Sequence, residues 1–153
     1  MACTVLAGCN KENPENPLTP EQLFEKVQGK WASISYDFYE DQEAFKNGIS
    51  QDHEECEAGK EGTEGLMIHH DEIISSDVIF SGRFKDGKVY VNSSAKILAN
   101  DGKKLEAKNF DNDSIIIEWL KGDRLRQTIY TDDGHIAVII YVRTDFEEVF
   151  PPR

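Results

Sequence analysis

Five dipeptides, Asp86-Gly87, Asp101-Gly102, Asp111-Asn112, Gly122-Asp123 and Asp133-Gly134, punctuate the second half of this chain at short, even intervals. Each supplies residues that tolerate positive φ, which tight hairpins require. The segments between them are rich in β-branched and aromatic residues. They predict strands at Leu66–Ile73, Asp77–Phe84, Lys88–Ser93, Lys96–Ala99, Lys104–Phe110, Ser114–Leu120, Arg124–Thr131 and His135–Arg143. No helical pattern long enough for a parallel crossover interrupts them, so neighbours pair antiparallel in chain order. A meander of eight to nine strands curls, and closing it removes the exposed edges. The expected fold is all-β: an antiparallel up-and-down barrel with a short N-terminal helix. In Ile136–Val142 both parities are apolar, so that strand is expected to be buried on both faces.

The helix is signalled by Thr19-Pro20-Glu21-Gln22. Thr19 is a good N-cap, Pro20 suits the first helical position, and Gln22 can close a capping box. Leu23, Phe24 and Val27 fall on one face, and Gly29 ends the helix. A strand follows from Trp31 to Tyr39, then one helical turn over Asp41–Asn47. Ser50–Gly65 is acidic, Gly-punctuated and aperiodic, and is expected to be a mobile loop holding at most one short strand.

The net charge of −12 bounds the partners. Excess acid repels phosphate backbones and anionic lipid heads, so nucleic acid is not an expected partner. No apolar run approaches the ~20 residues needed to span a bilayer as a helix. The cysteines, Cys3, Cys9 and Cys56, do not form a disulfide framework. One domain is expected over residues 19–150.

A short helix, Gly-x-Trp at the first strand and an Arg in the last strand together resemble the calycin group of lipocalins and fatty-acid-binding proteins. The resemblance covers Leu23 to Arg143 and is closer to the lipocalin-like domains of bacterial lipoproteins than to secreted animal lipocalins. It implies that Gly29, Trp31 and Arg143 finish the closed end of the barrel, with the guanidinium across the indole. It also implies a ligand carboxylate held by interior Arg and Tyr on the last strands, for which the candidates are Arg124, Arg126, Tyr130 and Tyr141. The family places Arg two residues before the final Tyr, where this chain has Ile139. Outward-facing charges are therefore the simpler reading of Arg124 and Arg126.

The amino terminus carries a second resemblance. Leu6-Ala7-Gly8-Cys9 matches the bacterial lipobox position by position, which implies cleavage after Gly8 and acylation of the Cys9 sulfur. Residues 1–8 would then be the remnant of a signal peptide. Residues 9–18 would be the acylated cysteine and a tether, because Asn10–Leu18 is polar, Pro-containing and aperiodic. The resemblance implies a lipid anchor, with palmitate among its acyl groups, in the outer membrane or on the cell surface. Lys11-Glu12 is similar to the charged export signals of surface lipoproteins.

Chemistry is sparse. There is no Gly-x-Ser-x-Gly, P-loop, dinucleotide glycine pattern or His-Glu-x-x-His, and catalysis is not expected. His53 and Cys56 with His69 form a weak metal pattern, since His69 and His70 point to opposite faces of a strand. Solvated residues explain them better, and neither metal nor cofactor is expected. The functional expectation is a monomeric, lipid-anchored, lipocalin-like protein in the bacterial envelope that binds a small apolar or anionic amphipathic ligand. The alternative is a surface interaction or inhibitor protein with a filled barrel that meets a protein partner through its loops. A cavity above ~300 Å³ separates the two.

Overall fold

A computed structural model describes residues 18–152. Cys3, Cys9, the lipobox and nearly all of the tether lie outside the described residues. Helix α1 (Pro20–Val27) begins at Thr19, whose hydroxyl accepts from the Gln22 amide at 3.1 Å. The Gln22 side chain accepts from the Thr19 amide at 2.9 Å, completing the capping box. Its apolar face buries Leu23 and Val27. A second helix of one turn, α2 (Gln42–Lys46), is capped by Asp41, whose carboxylate accepts from the Ala44 amide.

Ten strands form one sheet: β1 (Gly29–Tyr39), β2 (Asp52–Glu55), β3 (Glu64–Asp71), β4 (Ser76–Lys85), β5 (Lys88–Asn100), β6 (Leu105–Asn109), β7 (Ser114–Leu120), β8 (Arg124–Tyr130), β9 (Ile136–Arg143) and β10 (Glu147–Val149). β2 and β10 lie off the ring. The other eight close into an antiparallel barrel, β1 pairing with both β3 and β9 and β5 pairing with β6. The meander and its closure are as the turn spacing predicts. Asp86 and Gly87 have φ of 54° and 78°, the pair of positive angles that a type I′ hairpin turn requires.

Two expectations give way to the structure. Lys88–Ser93 and Lys96–Ala99 belong to one strand, β5, because Ser93 and Ser94 continue the ladder opposite Ser81 and Phe80 instead of turning. The acidic segment at 50–65 holds the one short strand that its sequence allows, β2, which pairs with the second half of β1, beyond the stretch that β3 occupies. Its remaining turn is tied to neighbours: the Gly62 amide donates to Phe84 O, and the Asp86 amide to Glu61. Finally, β10 runs parallel to the start of β5, so the sheet is not wholly antiparallel. On β5, β6 covers only Ala95–Asn100, and the first half of β5 would otherwise be an open edge.

Every strand of the ring contributes to the interior. Trp31, Leu66, Ile68, Ile79, Ala95, Leu105, Ala107, Ile115, Ile117, Leu125, Ile139 and Tyr141 pack in one cluster with Leu23 and Val27 of α1. Successive residues face opposite sides of a strand, so Ala32 and Met67 lie on the outer face. There they join Phe84, Val89, Val91 and Phe146 in a second cluster. In β9, Ile136, Ile139, Ile140 and Tyr141 are all buried, in keeping with apolar residues on both parities.

Candidate functional site

The barrel's two ends differ, and the candidate site is at the end away from α1. The α1 end is shut. Trp31 is fully buried and its indole N–H donates to Val27 O at 2.8 Å. Arg143 lies over the ring with its guanidinium carbon 4.2 Å from the centroid, the geometry of a cation–π contact. Its Nη1 donates to Gln28 O at 2.8 Å, its Nη2 to Lys26 O, and its Nε to Asp123 at 2.9 Å. Three donors thus satisfy two carbonyls at the end of α1 and a carboxylate of the β7–β8 turn. Gly29 has φ +122°, and a Cβ there would stand 2.9 Å from Arg143 Nη1. Gly29, Trp31 and Arg143 therefore form one contact set.

The opposite end is polar. Ser33, Tyr36 and Glu64 have the same parity as the interior residues beside them, and Arg83 is the register partner of Glu64. With Glu54, Cys56, Gly62 and Thr63 they line a cavity of about 260 Å³. It sits where β2 replaces β3 beside β1, at the register shift between Ser33 and Ser35. Ser33 is buried and its hydroxyl accepts from the Glu64 amide at 3.2 Å. The Cys56 thiol donates to Ser33 O at 3.3 Å. Arg83 bridges the rim, Nη1 donating to Gly62 O at 3.1 Å and Nη2 lying 3.3 Å from Glu64.

Burial sets the electrostatics. Desolvation pushes the Glu64 carboxyl above its ordinary range, and Arg83 opposes this only in part. The Tyr36 phenol is pushed up by burial first and then by the negative charges of Asp52, Glu64 and Glu54. Deeper in the barrel the fully buried Tyr141 hydroxyl donates to Gln127 Oε1 at 2.7 Å. Its phenol is raised well above the usual value by burial and by the charge of Glu64.

The residues expected to hold a carboxylate do not meet. Tyr141 faces inward, opposite Leu125. Arg126 and Tyr130 line an outer cleft of about 660 Å³ with Tyr39, Phe45 and Glu118, where Arg126 Nε donates to Glu118 at 2.9 Å. Arg124 shares their strand parity. The sheet separates the arginines from the buried phenol. The metal pattern is also dispersed. His53 is held by Asp37 at 2.7 Å and Glu55 at 3.3 Å, Cys56 turns to Ser33, and His69 packs against Phe80. Among the described residues no three His, Cys, Asp or Glu side chains form a metal-holding group.

The polar cavity was missed in the sequence, although one signal was present. Glu64 heads the inward parity set Glu64, Leu66, Ile68, and a charge in line with core residues marks where a barrel stops being packed.

No family model matches the chain, and no curated protein matches it.

Proposed function

We propose that this protein is a lipid-anchored, extracytoplasmic binding module of lipocalin-like type that receives a small ligand at the polar end of its barrel. One observation carries the reading: the end next to α1 is packed shut, while the opposite end keeps a cavity lined by inward-facing polar side chains. Binding sites are concave and place a few polar groups to orient the ligand. The Gly29–Trp31–Arg143 contact supports the lipocalin-like comparison, since it closes the barrel where that group does. The anchor rests on Leu6-Ala7-Gly8-Cys9 alone.

A second reading, an interaction or inhibitor protein with a filled barrel, is favoured by the contiguous apolar cluster that occupies the interior and by the size of the mouth cavity, which at about 260 Å³ falls short of the ~300 Å³ that separates the two readings. Native mass spectrometry of protein purified from its own source separates the two. A co-purifying small molecule supports the binding module; a bare mass in every charge state supports the filled barrel. The anchor has its own test. Expressed with a complete signal sequence in a bacterial host, the parent should fractionate with membranes and carry acyl mass on Cys9, and Cys9→Ser should release it. One acyl chain binds weakly, and stable anchoring needs two or more. A soluble parent with an unmodified Cys9 thiol removes the anchor from the proposal.

A further inference from the structure

We infer that the barrel mouth binds a small organic cation, a primary amine on a compact carbon skeleton. This rests on reading the mouth as the binding end, and it replaces the apolar or anionic ligand that the sequence suggests. The ammonium would lie against Glu64 and Glu54, with the Ser33 and Thr63 hydroxyls as further acceptors and its carbon skeleton on the Tyr36 ring.

Four observations favour a cation. The cavity holds two carboxylates against one guanidinium, and both Arg83 terminal nitrogens are engaged, by Gly62 O and by Glu64. An anion would meet two carboxylates and would have to compete with Glu64 for the one guanidinium. Glu64 is largely removed from water while Arg83 itself remains mostly exposed, so its charge is only partly answered by that pair. An incoming ammonium would supply counter-charge to the partly desolvated Glu64 carboxylate. Around the Tyr36 phenol the negative charges of Asp52, Glu64 and Glu54 outnumber the one opposing positive charge, that of Arg83, and the ring offers an ammonium a face to lie on. Below the mouth the apolar cluster occupies the barrel, which leaves no room for an acyl chain. At about 260 Å³ the cavity is smaller than a drug-sized pocket, which limits the ligand to a compact amine.

The test is calorimetric titration of the full mature chain with three isosteric probes: 2-phenylethylamine, 2-phenylethanol and phenylacetate. The amine should bind saturably, and the alcohol and the acid should not. Glu64→Gln should weaken the amine by about tenfold, the effect of losing one charge-assisted hydrogen bond. Glu54 is exposed on β2, so Glu54→Gln tests the same contact in a variant whose folding is not at stake. Cys56 lines the cavity, and bound amine should slow its alkylation by iodoacetamide, read by peptide mass spectrometry at that residue. The cation assignment is overturned if the amine neither binds nor protects Cys56, or if both glutamine variants keep the parent affinity. Saturable binding of dodecanoate in its place would overturn the cation while leaving the binding module standing. A protein that purifies bare and takes neither probe would overturn both.

Discussion

At the α1 end of the barrel a buried tryptophan is roofed by an arginine whose donors reach two helix-end carbonyls and a carboxylate. At the other end an inward-facing glutamate shares a cavity with a thiol, a phenol and two hydroxyls. Strands β1 and β3 run through both regions, so strand composition alone does not decide which end closes. What decides it is the element that each strand meets. At one end α1 delivers Leu23 and Val27 into the ring, and the polar ends of its backbone are satisfied by Arg143. At the other, β1 changes partner from β3 to β2, and the exchange leaves a gap that only side chains can line. A helix can plug a barrel because its backbone polar groups are internally paired; a change of strand partner leaves groups that need water or a ligand.

The largest expected effect tests whether the shut end is a true core. Trp31→Ala removes a fully buried indole and should cost ~3–5 kcal/mol in a urea melt. A loss below about 1 kcal/mol would mean that Arg143 and α1 close the end without it. Gly29→Ala should come next, at about 2–3 kcal/mol, because alanine is strained at φ +122° and its methyl would displace Arg143. If the variant melts like the parent, the guanidinium is not pinned over the indole. Between the two ends, Tyr141→Phe leaves Gln127 Oε1 without its buried donor and should cost about 1–2 kcal/mol. An unchanged melt there would show that water already reaches this depth from the mouth.

Much of the barrel was legible in the sequence because hairpin chemistry is local. Asp86, Gly87, Asn112, Gly122 and Asp123 adopt the positive φ angles that their residue types permit, and β7 spans Ser114–Leu120 as read. β10 was not legible. Its residues, Glu147-Glu148-Val149, have no strand pattern, and their pairing depends on β6 leaving part of β5 uncovered. β2 is exposed at every residue and carries no alternation to detect. At the sites, Gly29, Trp31 and Arg143 each occupy a recognisable position, and the structure brings them together. Arg126 and Tyr141 illustrate the limit. Parity along one strand is readable, but which parity of β8 shares a face with which of β9 depends on register, and here Leu125, not Arg126, stands opposite Tyr141.

The smallest effect asks whether β2 is docked or frayed, and so whether the mouth has the wall drawn for it. His53 on β2 stands opposite Asp37 on β1. Its pKa is raised, first by the hydrogen bond it donates to Asp37 and then by the one it donates to Glu55. At the shut end, His70 on β3 is raised in the same way by Asp77 on β4. A histidine raised in the folded state favours folding below its unfolded value of about 6.5, and that contribution is lost as pH rises through the folded value. Both rings are exposed, so the effect on a melt is small and the ring itself is the better reporter. In an NMR pH titration both histidines should have midpoints above about 6.5, and Asp37→Asn should lower that of His53 alone. A His53 midpoint at the ordinary value beside a raised His70 would mean that β2 does not hold against β1. The cavity would then lose Glu54 and Cys56 from its lining, and the mouth would open to solvent on that side.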